Sequence, residues 1–510
     1  MAAYIIRRLL ASLLILLAAS FLMYTLVSFS GDPLAEFTAV TDPDQKALLI
    51  ENRIDALGLD DPFFVQYLNW LGGATQCLVP GSGCDLGLNL NNQPVTALVA
   101  DAFPTTLQLV LAATVLSIIL GVAIGIISAI RQYSAFDYTI TFAAFLFFSL
   151  PIFWVAVLLK EFGAIRINDW LADPAVTLPV AVVMGGLSAL FFSAIVGGSR
   201  RRRVAAGLAA GIAGVGVFAG LVASGWFANP GMGPGLVSLG AAACAVGATL
   251  LFTNLENRRV LATSLATAVV GVAVAYGAYG LLSDPTWVTL LALSALVTAI
   301  GVGIALTFGD IDRAAAIRAS VVTSFLVGLL VFLDRTVSSF AAYSDEVNGR
   351  PIATIGSKTP NFEGTFWEVT LDTATHLLLP TLAIMLISFA GYSRYSRASM
   401  LEVMNADYVR TARAKGLTER TVVLRHAFRN AMIPLATLAA LDFGAVIGGA
   451  IITETVFGWK GMGVLFTSAL NKFDTNQIMG VFIVTAVAVL IFNLIADISY
   501  AVLDPRIRLT

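Results

Sequence analysis

Runs of about twenty consecutive apolar residues recur along nearly the whole of this 510-residue chain, and they constrain its fold more than any motif does. Hydrocarbon offers backbone N–H and C=O groups no partner, so a segment of that length and apolarity crosses a bilayer as an α-helix. Only 12% of the residues are charged, and the mean hydropathy is +0.86. The expected fold class is an all-α polytopic membrane protein. A formal net charge of −2 leaves no basic footprint for nucleic acid.

Charge in the separators sets the threading. Arg7 and Arg8 precede the first run, which continues to Val27 and Phe29 without a small-x-small cleavage site. It reads as an uncleaved span that starts in the cytoplasm. Gly31-Asp32-Pro33 ends it, and residues 31–103 are polar enough for an external loop. Cys77 and Cys84 lie in that loop around a Pro/Gly/Ser turn; on the oxidising side of a membrane they form either a local disulfide or two free thiols. Spans are expected at 105–129, with the close-packing pair Gly121 and Gly125, and at 138–159, kinked at Pro151. Six further runs follow, at 176–196, 204–227, 236–253, 260–282, 287–308 and 317–333. Their separators alternate between basic (Arg200 to Arg203, Arg258 and Arg259, Arg313 and Arg318) and turn-forming (Asn229-Pro230-Gly231, Ser283-Asp284-Pro285). An even number of extra spans returns the chain to the side it left. This Ala- and Gly-rich stretch has no cluster of charges, so peripheral packing is the leading expectation, with lipid or accessory-protein binding as the alternative.

The segment 398–434 interrupts the apolar pattern with Arg410, Arg413, Lys415, Arg420, Arg425 and Arg429 against Glu402, Asp407 and Glu419. Such a basic loop between spans belongs in the cytoplasm, where anionic lipid could also attract it. Gly416 is suited to end a helix in the left-handed conformation, and Thr418 to cap a second helix running toward Met432. Two short helices joined at a glycine have the form of a docking element.

Asp407-Tyr408-Val409-Arg410-Thr411-Ala412-Arg413-Ala414-Lys415-Gly416-Leu417 resembles the EAA loop of ABC-transporter permeases, in the form of the dipeptide/oligopeptide branch. Further pieces of that pattern follow in order: Gly58-Leu59-Asp60-Asp61-Pro62, Val65-Gln66-Tyr67-Leu68, Asp85-Leu86-Gly87, Ser149 to Trp154, His376-Leu377-Leu378-Leu379-Pro380, Tyr392 to Arg397, and Glu454-Thr455-Val456-Phe457. The terminal Tyr500-Ala501-Val502-Leu503-Asp504-Pro505-Arg506-Ile507-Arg508 completes it. Arg429 stands where the loop pattern has proline, and Lys460 replaces the proline of the glycine-rich elbow Gly458 to Gly463.

The resemblance covers 1–160 and 349–510. It implies a six-helix type I importer core divided by about six inserted spans: 1–160 as the first half, 161–345 as the insert and 346–510 as the second half. It also implies that Asp407, Tyr408, Arg410, Thr411, Ala412, Arg413, Ala414, Lys415, Gly416 and Leu417 form a coupling helix seated in an ATPase groove. The implied partners are a second homologous permease, two cytoplasmic ATPases and an extracytoplasmic peptide-binding protein. ATP and Mg would be bound by the ATPases, and no cofactor by this chain. The implied setting is a prokaryotic plasma membrane with both termini cytoplasmic. Peptides are the implied cargo; similar permeases carry nickel chelates or glycosides, and a non-transporting scaffold or receptor is the alternative from another class.

An ionisable group in a span costs about 2.5–3.5 kcal/mol at the bilayer centre. Asp442 therefore faces either an inner vestibule or a hydrogen-bonding partner. Glu454, Asn493 and Asp497 are the other candidates for a translocation path, and Asn493 and Asp497, four apart, share one helix face that either lines a pore or pairs with a neighbour. His376 reads as a hydrogen-bonding anchor, and the two histidines do not combine with Cys or carboxylates at metal-ligand spacing. No activated Ser/His pair or paired carboxylates stand at one depth, so no catalytic centre is expected. Gly356-Ser357-Lys358-Thr359 lacks the frame of a nucleotide loop.

Overall fold

The computed structural model describes residues 2–77, 83–196 and 198–503. In chain order the helices are α1 (Ala2–Ser30), α2 (Pro43–Leu57), α3 (Phe63–Gln76), α4 (Val95–Ile130), α5 (Ala135–Ser149), α6 (Ile152–Lys160) and α7 (Arg166–Ala172). Then come α8 (Leu178–Ile195), α9 (Arg200–Ala223), α10 (Gly233–Phe252), α11 (Arg258–Gly277), α12 (Trp287–Phe308), α13 (Arg313–Ser338) and α14 (Phe340–Glu346). The last are α15 (Phe366–Met404), α16 (Asp407–Ala414), α17 (Glu419–Thr421), α18 (Phe428–Phe457), α19 (Met462–Lys472) and α20 (Thr475–Leu503). Among the described residues nine helices are long and apolar enough to cross a membrane, ten if a bent pair is one span. The chain is an all-α polytopic membrane protein.

Two compact units emerge: 1–163 with 354–357 and 377–510, and 164–353 with 358–376. The expected boundary at 346 is thereby displaced, because the chain just beyond it is tied into the second unit. Trp367 Nε1 donates to the Leu282 carbonyl at 2.7 Å and the Phe366 amide to Asp284 at 2.8 Å. Asp372 accepts from the Thr359 amide and hydroxyl and from the Tyr343 hydroxyl at 3.1, 2.5 and 3.2 Å. Burial pushes the Tyr343 phenol up to about 12. His376 is buried in the same cluster, its Nδ1 2.8 Å from the Asp372 carbonyl.

In the first unit, α4 packs on the later part of α15 through the expected glycines. A Cβ on Gly121 would sit 2.6 Å from Tyr392 Cβ, and one on Gly125 2.6 Å from the Ser393 carbonyl oxygen. Only glycine allows that approach, and in lipid such van der Waals contact is what holds helices together. The segment expected to be external folds rather than looping freely: α3 lays Phe63, Tyr67 and Trp70 on Phe21 and Tyr24 of α1. Cys77 and Cys84, just beyond α3, are joined as a disulfide.

The span expected at 138–159 is broken rather than kinked. α5 stops at Ser149, and the helix that resumes at Ile152 is turned by 102°. Leu150 is extended (φ −83°, ψ 131°) because the ring of Pro151 excludes the helical conformation from the residue before it.

The second unit contains the inserted helices. α8 and α9 form a hairpin in which Gly207 and Gly211 lie against the Ala189 and Gly185 carbonyls. α10 to α13 pack mutually as a four-helix bundle. The separators meet at its ends as their charges anticipate. At one end Arg259 pairs with Asp310 and Asn257 Nδ2 donates to Asp312 at 2.7 Å; at the other, the Met232 amide donates to Asp334 at 2.9 Å.

Candidate coupling site

α16 is eight residues long, starts on Asp407, and turns Val409 and Ala412 inward against Val422, Val403 and Met404. That apolar stripe is short, so polar ties add to it. Arg413 grips Glu419 through two N–H groups, at 2.8 and 3.2 Å, and reaches the Met404 carbonyl. The guanidinium holds the Glu419 carboxyl below the usual carboxylate range. The Tyr408 hydroxyl accepts from Asn430 Nδ2 at 2.9 Å, fastening α16 to the start of α18.

Gly416 takes φ +77°, the left-handed conformation that closes a helix, and the Thr418 hydroxyl accepts from the Thr421 amide as an N-cap. The second helix does not stop at Met432. After α17 the chain passes through a π-helical stretch, Val422–Ala427, directly into α18, which runs unbroken past Pro434 to Phe457. Val423, Ala427 and Ala431 pack on Met400 and Ala129 along this junction, which explains why the loop and the following span are one body.

The opposite face of α16 is open. Tyr408, Arg410, Thr411, Ala414, Lys415 and Leu417 are exposed, as are Leu424 and Arg425 beyond the turn. Arg410 has only a loose pairing with Asp407 at 3.9 Å, both in solvent. The result is a basic and partly apolar knob, held on its inner face and suited to a complementary groove.

Of the polar residues expected to line a path, Asp442 and Glu454 lie apart among the described residues. Asp442 and Glu454 are twelve residues apart on α18, about 18 Å along its axis. The buried Asp442 carboxylate and Tyr392 hydroxyl face each other, with the Ser388 hydroxyl also beside the carboxylate, so Asp442 has polar neighbours within its own bundle. Glu454 has a different setting: its carboxylate is fully buried and accepts from the Thr106 hydroxyl at 2.5 Å and from the Gly463 and Val464 amides at 2.8 and 3.2 Å. It is a side-chain cap on the N-terminus of α19, where a negative charge is favoured. Gly461 must be small here, since its Cβ would lie 2.4 Å from a Glu454 oxygen. Asn493 is half-buried on α20. The side chain of Asp497 and the signature residues from Asp504 onward lie outside the described residues.

One pair was missed by sequence reasoning. Asp137 is buried and takes both guanidinium N–H groups of Arg397, at 2.7 and 2.9 Å, with Ser128 and the Tyr133 amide completing its shell. The local signal was Ser134 with Asp137 three residues on, the pattern of a helix start, which Ser134 caps. Nearby Arg394 lies over the Phe148 ring at 4.2 Å.

Comparison with known proteins gives two family matches. Residues 1–110 match the N-terminal membrane component of binding-protein-dependent transport systems, and residues 320–509 the inner membrane component of those systems. The chain is 26% identical to the oligopeptide transport system permease protein AppB of Bacillus subtilis over 511 aligned residues, and to OppB of Mycobacterium tuberculosis over 510, covering 100% of both partners in each case. Against the dipeptide transport system permease protein DppB of Escherichia coli it is 43% identical over 138 residues, 27% of this chain and 41% of the relative, which is therefore the shorter protein.

Proposed function

We propose, from the premise that this chain belongs to the family of binding-protein-dependent transport system inner membrane components, that it is the permease subunit of an ATP-driven importer of dipeptides or oligopeptides. The peptide reading rests on the names of its relatives. Its partners are a second related permease, two cytoplasmic ATPases that bind ATP and Mg, and an extracytoplasmic peptide-binding protein. The chain itself supplies no catalytic group. It sits in a prokaryotic plasma membrane with both termini in the cytoplasm.

The observation that carries this reading is the open face of α16, with Tyr408, Arg410, Lys415 and Leu417 outward and Val409 and Ala412 locked inward. Closure of the ATPases displaces that knob. Because α18 continues from the same junction for 30 residues, about 45 Å of helix, the displacement is carried along one rigid rod. At the far end Glu454 is bonded to the elbow and α19, so movement of the rod moves them together. The spans then rock between two openings, the general scheme of alternating access.

The test is reconstitution of the complex in proteoliposomes with a labelled dipeptide. ATP-dependent accumulation is expected, and deleting residues 407–416 should abolish it while leaving the subunits membrane-inserted. Accumulation that persists in the deletion would overturn the reading.

A further inference from the structure

The inserted bundle leaves an apolar groove open between α12 and α13, about 430 Å³ in volume, with α11 beneath it. Gly271, Val297 and Val327 form its floor, and Leu291, Phe325 and Gly328 its exposed rim. Trp287, Phe332 and Trp367 stand together at one end, with ring centroids of Trp287 and Phe332 6.3 Å apart and of Phe332 and Trp367 5.4 Å apart. Two of the polar groups that line it are already used, Ser324 donating to the Val321 carbonyl and pairing with Thr298 and Trp367 Nε1 donating to Leu282, which leaves Ser294 and the Trp287 indole in a lining that is otherwise apolar. An occupant must therefore be apolar along most of its length.

The aromatic end carries one cation. Arg335 lies one helical turn beyond Val331, which lines the groove, and donates to the carbonyl of Ala275, another lining residue, at 3.1 Å. Its guanidinium is spread over the Tyr276 and Tyr279 rings, 5.8 and 4.7 Å from their centroids. Neighbouring Asp334 turns instead to the Met232 amide. A planar cation on an aromatic platform, with N–H groups to spare, is the chemistry that receives a phosphate.

We propose that this groove holds one acyl chain of an anionic phospholipid, with the lipid phosphate on Arg335. Both walls are helices long and apolar enough to cross a membrane, so the rim opens onto acyl chains. A partner helix fits poorly, because at a diameter of 10–12 Å a single turn already takes about 420–610 Å³, the whole of the groove or more. The volume instead falls in the range of sites for single small ligands. Tryptophans at the end near the headgroup follow the usual placement at a membrane interface.

The test uses the full-length protein in nanodiscs of phosphatidylcholine with a minor fraction of phosphatidylglycerol, the latter carrying a photoactivatable diazirine on one chain. Cross-links should concentrate on the peptides of α12 and α13 that line the groove. Gly328→Phe should lower them by about fivefold, since nothing lies within 4 Å of a Cβ there and the ring would fill the groove without a clash. Val269→Phe, on the exposed face of α11 away from the groove, should leave them unchanged. Arg335→Gln should remove the preference for a phosphatidylglycerol probe over a phosphatidylcholine one. Labelling spread evenly over all outward faces, or unaltered by Gly328→Phe, overturns the site. Labelling lost when the companion subunits assemble means a protein occupies the groove, and overturns the lipid assignment. An unchanged headgroup preference in Arg335→Gln overturns the role of the arginine.

Discussion

Removing the Glu454 carboxylate tests the claim that it fastens the elbow rather than lining a path. Glu454→Ala deletes the acceptor of three donors, the Thr106 hydroxyl and the Gly463 and Val464 amides, in a place where its side chain is fully buried. A buried donor left without a partner costs about 1–3 kcal/mol, and Thr106 can partly re-pair, so the expected loss is roughly 3–5 kcal/mol. Glu454→Gln keeps an oxygen for the two amides. Its NH₂ then faces Thr106, whose hydroxyl can accept as well as donate, so the cost is about 1 kcal/mol. Gly461 and Gly463 crowd the same carboxylate, which leaves little room for water to substitute. The assay is reversible unfolding in mixed micelles, read by tryptophan fluorescence, since buried Trp459 sits on the elbow five residues beyond Glu454. Its amide donates to the Glu454 carbonyl at 2.8 Å. Equal stabilities for the two variants, or a glutamine variant that folds normally yet no longer transports, would refute the capping role.

Arg397→Ala should cost about 3–5 kcal/mol, because it strands the buried Asp137 carboxylate; the same unfolding assay reads it, and a loss near zero contradicts the pairing. Gly125→Leu should drive α4 from α15 and eliminate folded protein by size-exclusion chromatography, since even a Cβ meets the Ser393 carbonyl oxygen at 2.6 Å. Asp474, outside the spans, is pushed above the usual carboxylate range by burial, although the Leu90 and Gln477 amides donate to it. The folded state then binds the proton more tightly than the unfolded one. Its contribution to stability falls as pH rises from the ordinary carboxylate range through the raised value, and Asp474→Asn should flatten that dependence in thermal unfolding scans.

Local features were the legible ones. Gly416 and Thr418 announce a helix stop and start because left-handed glycine and a hydroxyl N-cap act within a few residues. The inserted helices were readable from hydropathy and alternating charge, and the pairing of Arg259 with Asp310 shows how an acid in a basic separator can strengthen it. The effect of a proline was harder to read than a helix cap. Pro151 breaks its span and Pro434 does not break α18, because neighbours, not the ring alone, decide whether freed carbonyls are satisfied. The hydroxyl-lined interior of the bundle was invisible for a related reason. Thr249, Thr267 and Thr323 spend their hydroxyls on their own helices' carbonyls, so they behave as small packing residues. The bonding of Glu454 was illegible because its partner Thr106 lies 348 residues away in sequence.

The account stands or falls on where the α16 knob points. Thiol labelling of Lys415→Cys, with Cys77, Cys84 and Cys244 replaced, measures this in intact cells and in inside-out vesicles. Reaction is expected only in the vesicles, with protection when the ATPase subunits are bound. Labelling of Lys415→Cys from outside intact cells would contradict the coupling role and the threading of every span behind it.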